Sequence, residues 1–304
     1  MKNGIISYGE AFVDYISVDS SNQNFQKYIG GTTLNVAVGV RRLGSPSYYL
    51  CKLGEDEVSF FIKNELNKED VNLEYSVESG QKKICGVYVH LNDDGERYFH
   101  SYENESPDEQ LLVSELHEEL FRKAKLFYFG SGTLFHEISR QTTKAAVELA
   151  QKHGTLVAFD PNIRMKRWES EQKCRAAIME MLPNVDLLKI AEEELLFLTE
   201  TLTVEDGLKQ LADYGIPYVW VTLGEKGALA VHGGVELHVP AMKVKAVDTT
   251  GAGDAFMAGI LHCIHSKGLP EDSAALKRYT EYGNDLGGKA ASVVGALTVS
   301  KELF

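Results

Sequence analysis

The sequence predicts an α/β fold with three layers: helices on both faces of a mostly parallel sheet, joined by a small second β-sheet. Two observations carry this. From residue 115 onward, short apolar runs alternate with amphipathic stretches of helical length, the signature of a parallel sheet covered on both faces. Before that point the order is broken by two extended segments, Lys83–Leu91 and Glu96–Tyr102, around Asn92-Asp-Asp-Gly95. Asp94-Gly95 is a strong two-residue hairpin signal. Together with the region Glu10–Ile29, these segments are expected to build a separate small sheet, a lid. A length of 304 residues suits two domains or one large α/β domain with such an insertion.

Taken in order, Gly4-Ile-Ile-Ser-Tyr opens a first strand that breaks near Gly9-Glu10. A second apolar stretch follows and contains Asp14. A buried, unpartnered acid is costly, so Asp14 is either an edge-strand acid facing water or a carboxylate held for ligand hydroxyls. Gly30-Gly31 ends an extended piece, and Thr32 or Thr33 caps a helix that runs through Leu34, Val38 and Arg41 to Gly44. A Gly-Gly pair lets a backbone approach a ligand closely, and Asn35 falls in the first turn beside it. Tyr48–Leu53 reads as a short buried strand and Val58–Glu69 as an amphipathic helix.

The regular part then predicts helices at Glu115–Lys125, Glu137–His153, Glu171–Leu182, Glu192–Thr199 and Val204–Tyr214. Strands are expected at Leu126–Gly130, Thr155–Phe159, Val185–Ile190 and Tyr218–Leu223. Ala228–Val231 and Glu236–Val239 flank a second hairpin turn at Gly233-Gly234. A helix to about Lys267 and a long helix over Ser273–Val293 close the pattern. In such sheets ligands bind beyond the carboxyl ends of the strands. Asp160, Asn162, Arg164, Glu194 and Thr222-Leu-Gly224 all follow strands and are expected on that edge.

Composition excludes several function classes. Net charge is −13, from 31 basic and 44 acidic residues, which argues against general nucleic-acid or anionic-membrane binding. No apolar run approaches membrane-spanning length, and the N-terminal stretch is expected not to be a signal peptide. The four cysteines, Cys51, Cys85, Cys174 and Cys263, lack C-x-x-C or zinc spacing. Reduced, buried thiols and a cytoplasmic setting are expected. Neither a Walker A motif nor a complete G-x-G-x-x-G is present, since Phe256 stands where the third glycine belongs.

The chemistry concentrates in Val247-Asp-Thr-Thr-Gly-Ala-Gly-Asp-Ala-Phe256. Gly251, Ala252 and Gly253 can turn their backbone N–H groups into one concavity at a helix start, where the dipole is positive. Asp254 beside that anion hole suits a base next to a phosphoryl acceptor, although Asp is also an ordinary helix-capping residue. With Asp14, Gly30-Gly31, Asn35, the 160–164 segment, Glu194 and the turn Thr222/Gly224/Gly227, the edge offers what phosphoryl transfer needs. That set comprises hydroxyl binders, a base, an anion hole, a metal carboxylate and a nucleotide shelf.

Gly30-Gly-Thr-Thr-Leu-Asn-Val-Ala-Val-Gly-Val-Arg-Arg-Leu-Gly44 and Asp248-Thr-Thr-Gly-Ala-Gly-Asp-Ala-Phe256 resemble the two signatures of the ribokinase (PfkB) sugar-kinase family, in order and separation. Gly9-Glu10 with Asp14, and Asp160-Pro-Asn-Ile-Arg164 with Trp168, are similar to its fructokinase and 2-keto-3-deoxygluconate kinase branch. The resemblance covers nearly the whole chain and implies one ribokinase-like domain over residues 1–304, with lid segments at about 10–30 and 83–103. It implies ATP-dependent phosphorylation of a sugar hydroxyl. Asp254 would be the base, with Gly251, Ala252 and Gly253 as the anion hole. Asp14, Gly30, Gly31 and Asn35 would bind sugar hydroxyls, and Arg164 would lie near the sugar or the transferred phosphate. Thr222, Gly224 and Gly227 would lie along the nucleotide, with Asn284 near the adenine. Glu194 would organise Mg2+ through water, and the Asp248–Thr250 backbone would offer a place for K+. A homodimer through the lid is expected, since Tyr88, Tyr98 and Phe99 offer apolar surface.

Two departures from the family pattern bear on substrate. Ala191-Glu-Glu-Glu194 replaces an Asn-x-x-Glu, so the carboxylate stays and the amide is lost. Tyr102-Glu103 stands where relatives often carry an arginine after the tyrosine. A glutamate there would repel an acidic substrate, at a cost on the order of kcal/mol, so a neutral sugar, fructose first, is expected. Arg97 is read as an exposed hairpin charge. The alternatives are a kinase for 2-keto-3-deoxygluconate or a nucleoside on the same scaffold, or a non-catalytic sugar- or nucleotide-binding regulator.

Overall fold

The computed structural model describes residues 2–92, 94 and 96–293. The chain opens with β1 (Ile5–Tyr8), β2 (Phe12–Ser17), β3 (Phe25–Gly30), α1 (Thr32–Arg42), β4 (Ser47–Leu50), β5 (Lys52–Leu53), α2 (Glu57–Lys68) and β6 (Val77–Glu78). It continues with β7 (Cys85–Leu91), β8 (Arg97–Glu103), α3 (Glu118–Lys123), β9 (Leu126–Gly130), α4 (Glu137–Lys152) and β10 (Leu156–Asp160). Then come α5 (Glu171–Met181), β11 (Leu187–Ala191), α6 (Glu192–Thr199), α7 (Val204–Ala212), β12 (Tyr218–Thr222), β13 (Ala228–His232) and β14 (Val235–Val239). The helices α8 (Ala252–Lys267) and α9 (Ser273–Ala291) complete it.

The main sheet has the order β14-β13-β12-β11-β10-β9-β1-β4. Its six strands from β12 to β4 are parallel; β13 runs antiparallel to β12, and the hairpin β13–β14 turns β14 back to the common direction. The parallel strands are apolar on both faces because both are covered. On one face Phe127, Phe129, Val157, Phe159, Leu188 and Ile190 pack with residues of α3 to α7. On the other, Tyr128, Ala158, Leu187 and Trp220 pack with α1, α8 and α9. Trp220, wholly buried, keeps its indole N–H satisfied by donating to Thr280 Oγ1 of α9 at 3.0 Å.

The small sheet has four strands in the order β3-β2-β7-β8, with β2 and β7 parallel and the outer pairs antiparallel. Asp14 therefore sits on a central strand, which removes the reading of it as an edge-strand acid. Gly95 of the expected Asp94-Gly95 turn lies outside the described residues. The expected strand Tyr48–Leu53 divides in two. β4 joins the main sheet, whereas β5 pairs with β6 in a separate two-stranded sheet. The expected helix Glu115–Lys125 shortens to α3 after a single 3-10 turn. The last helix ends at Ala291.

Candidate active site

Two helices begin at the same place. Gly31 is the N-cap of α1, with φ of 106°, and Gly251 is the N-cap of α8, in the left-handed region with φ of 79°. Both glycines are required by backbone conformation. At Gly31 space adds a second reason, since a Cβ would come within 3.0 Å of the Glu10 carbonyl and the Phe12 ring. Helix starts carry unpaired N–H groups and positive dipole ends, so the shared edge is prepared for an anion. Within α8's first turn Ala252 N–H already donates to the Thr249 carbonyl at 3.2 Å. The amides of Gly253 and Asp254 are the first-turn donors that the helix itself leaves without acceptors.

Asn35, in the first turn of α1, donates its Nδ2 to Asp254 Oδ2 at 2.8 Å. Both side chains are buried. The other end of that amide, Asn35 Oδ1, has no partner among the described residues. A buried acceptor left open beside a carboxylate is suited to receive a ligand hydroxyl. Burial raises the Asp254 pKa, opposed by the Asn35 hydrogen bond and by the charges of Lys189 and Arg164. The result is a carboxylate more basic than usual in the first turn of α8.

Asp14 projects from β2 against Gly30, where a Cβ would meet its Oδ2 at 2.5 Å. Burial pushes Asp14 up to about 6. Gly30 and Gly31 therefore act locally: one makes room for the Asp14 carboxylate, the other starts α1. Asn162, in a left-handed conformation with φ of 40°, is hydrogen-bonded through Nδ2 to Thr32 Oγ1. Arg164 is exposed on the same loop, and its charge reaches Asp254.

Glu194 lies at the start of α6 and fastens this loop. Its Oε1 accepts from Ile163 N–H at 2.6 Å and its Oε2 from Ala191 N–H at 3.0 Å. Among the described residues no cluster of three or more His, Cys, Asp or Glu side chains could cage a metal ion. One carboxylate with backbone anchors suits Mg2+, which keeps several waters and is bound mainly through substrate phosphates. Thr222 ends β12, and Gly224 and Gly227 both have positive φ in the turn to β13. Space is a further reason for glycine at 227: a Cβ would strike the Val239 carbonyl and the Pro240–Ala241 backbone. Asn284 of α9 is also committed, donating Nδ2 to the carbonyls of Val239 at 2.9 Å and Pro240 at 3.4 Å. Asp248 Oδ1 accepts from Thr250 N–H at 2.9 Å, which shapes the turn before Gly251.

Residues that the sequence reading passed over complete the site. Lys189 of β11 pairs with Asp160 Oδ2 at 3.0 Å, both buried. Its ammonium also lies 3.0 Å from where a Cβ on Gly253 would stand. Burial favours the neutral amine, but the charges of Asp160, Glu194 and Asp254 outweigh it and hold the Lys189 pKa up. Asp160 is pushed up by burial and by Glu194 and Asp254, against the pull of Lys189. The Tyr128 hydroxyl is buried without a partner among the described residues and lies in the field of Asp160, Asp254 and Glu194. A lysine inside the apolar run Leu187-Leu-Lys-Ile190 was the available signal for Lys189, because a buried ammonium needs a carboxylate. Tyr128, in an aromatic strand, gave none.

The model of the pfkB family carbohydrate kinases matches residues 2–302. The chain is 35% identical to probable fructokinase-3 of Arabidopsis thaliana, over 97% of this chain and 88% of that one. The fructokinase of Vibrio cholerae O395 in its fructose-, ADP- and calcium-bound form superposes with a TM-score of 0.86 at 31% identity, covering 98% of this chain and 95% of that one. A double mutant of that enzyme, bound to fructose, ADP and potassium, gives 0.87 at 32%, with coverage of 98% and 94%. The chain belongs to the pfkB family of carbohydrate kinases. Within it, the chain falls in the fructokinase-like branch and is a sugar kinase.

Proposed function

We propose that this kinase transfers the γ-phosphoryl group of ATP to a hydroxyl of a neutral sugar, with fructose the first acceptor to test. The observation that carries the reading is the buried pair Asn35–Asp254 at the joint start of α1 and α8, with Asn35 Oδ1 left open. Sugar hydroxyls that donate to Asn35 Oδ1 and Asp14 hold the acceptor so that a further hydroxyl lies where Asp254 can take its proton as that oxygen attacks the phosphoryl group. The first-turn amides of α8 and the Lys189 ammonium beneath them offset the charge that develops on the transferred group. Arg164 reaches toward the same region. The segment Thr222–Gly227 and the loop that Asn284 anchors form the shelf for the nucleotide. Mg2+, organised by Glu194 through water, would neutralise phosphate charge, and the turn Asp248–Thr250 would take K+.

The carboxylates facing the acceptor, Asp14 and Asp254, together with Glu103 of β8, favour a neutral acceptor over a sugar acid. The four-stranded sheet acts as a lid over the acceptor, and two copies pair through it. Tyr98 is exposed, and Tyr88 stacks on Tyr15 with centroids 4.6 Å apart; such a face is covered by a second lid. The four cysteines are buried thiols, and no helix among the described residues is long and apolar enough to cross a membrane. Both features fit the cytoplasm. The decisive test is ADP release on fructose, 2-keto-3-deoxygluconate and a riboside, with the native chain and with Asp254→Asn. Fructose should give the highest kcat/KM. Asp254→Asn should lower kcat by about 10²- to 10⁴-fold with the KM for ATP little changed. Near-native turnover in that variant removes Asp254 as the base, and sugar-independent ADP release removes the kinase assignment.

A further inference from the structure

Arg167 occupies an unusual position for an arginine. It ends the 3-10 turn Met165–Arg167, just beyond the loop that carries Asn162 and Arg164, and its side chain is only 7% exposed. One terminal nitrogen lies 2.9 Å from Glu105 Oε1 and 3.8 Å from Glu10 Oε2. The guanidinium carbon is 5.2 Å from the Phe12 ring, 5.2 Å from the Tyr102 ring and 4.9 Å from the Phe135 ring. These partners come from separate parts of the fold. Phe12 begins β2 and Tyr102 lies near the end of β8, whereas Phe135 follows β9 of the main sheet. Glu105 follows β8 as the chain leaves the small sheet, and Glu10 precedes β2 as the chain enters it.

Glu10 carries the network to the remaining crossing. Its Oε1 accepts from Lys82 Nζ at 2.8 Å and from Gln110 Nε2 at 2.9 Å. Lys82 lies just before β7 and is buried. Beside Arg167, Lys166 places its ammonium 4.5 Å from the centre of the Phe99 ring on β8. A planar guanidinium can donate to carboxylates in its plane while stacking against rings on its faces, which an ammonium does not do.

We infer that Arg167 is the positioning residue that fixes the small sheet, and Asp14 with it, over the loop bearing Asn162 and Arg164, so that it sets acceptor affinity without touching the reacting atoms. Its consequence for sugar binding rests on the sugar-kinase reading; its consequence for the small sheet does not. Loss of the guanidinium leaves Glu10 and Glu105 without their shared cation and three rings without their common contact. The sheet then moves as a unit against the core while the core stays folded.

The test is hydrogen exchange of the intact chain without ligand, alongside steady-state kinetics with fructose and ATP, for Arg167→Met, Arg167→Lys and Glu105→Gln. Arg167→Met should speed exchange in β2, β7 and β8, leaving β9, β10 and β11 as in the native chain. It should raise the KM for fructose by about tenfold while kcat stays within about threefold. Arg167→Lys, which keeps charge but not the planar fork, should recover only part of both effects, and Glu105→Gln should show a smaller change in the same direction. Native exchange in the small sheet of Arg167→Met overturns the inference, as does an equal rise across the main-sheet strands. If Arg167→Met does not fold, native exchange in both other variants overturns it. Should fructose fail as a substrate for the native chain, the acceptor assignment falls, while the exchange data still decide the role of Arg167.

Discussion

The pKa of Asp254 is set by burial and by three neighbours that oppose it. Burial raises its pKa, while the Asn35 hydrogen bond and the Lys189 and Arg164 charges restrain the rise. In the role of base proposed for it, Asp254 works only when deprotonated, so kcat should fall as pH drops through that raised pKa. Asn35→Ala removes a donor that favours the charged form, and the acidic limb of the kcat profile should move to higher pH. An unmoved limb would mean that Asn35 does not tune the base. Asp14, pushed up to about 6 by burial, titrates separately. If its ionised form accepts the sugar's hydroxyl hydrogen bonds, as proposed, the KM for sugar should rise as pH falls below about 6 even at constant kcat. Gly30→Ala tests the same carboxylate sterically. The added methyl meets Asp14 Oδ2 at 2.5 Å, so the sugar KM should rise by about tenfold with the ATP KM unchanged.

The elements that hold these residues have their own requirements. α8 and α9 approach closely because glycines face the crossing. A Cβ on Gly283 would stand 2.9 Å from the Phe256 ring, and one on Gly259 2.8 Å from Leu286 Cδ1. Gly283→Val should overpack this contact and destabilise the chain by about 1–3 kcal/mol, visible as a lower urea midpoint. Because α8 begins at the proposed anion site, kcat should fall with it. β11 carries the opposite kind of constraint, a buried ion pair. Lys189→Met leaves Asp160 without its partner, and breaking such a pair costs about 3–5 kcal/mol. The double variant Asp160→Asn/Lys189→Met should recover much of that loss in urea unfolding at neutral pH, since neither charge remains buried alone. A double variant no more stable than Lys189→Met would show that the pair's charges are not the source of the cost.

At the scale of the molecule, the two sheets meet where the chain crosses between them, and the acceptor site proposed above lies at that junction. Pairing of two chains through the small sheet should give a dimer mass by light scattering at micromolar concentration; a monomer there would remove the lid as the interface. The amino-acid sequence by itself determined the layered sheet, because alternating apolar runs and amphipathic stretches allow few other arrangements. It also determined the glycine turns that start α1 and α8, because a left-handed or otherwise unusual φ at a helix start is a local backbone requirement, met at Gly31 and Gly251. What only the tertiary structure decided depends on partners distant in sequence. Asp14 proved central in its sheet rather than at an edge, because strand order is set by pairing and not by a strand's own residues. Gly227 proved to lie close against the Val239–Ala241 backbone, and Asn284 to donate to the Val239 and Pro240 carbonyls. Lys189 and Arg167 acquired their roles only when folding brought Asp160 to the one and Glu10, Glu105 and three rings to the other. A charge's role depends on what desolvates and faces it, and those contacts exist only in the folded chain.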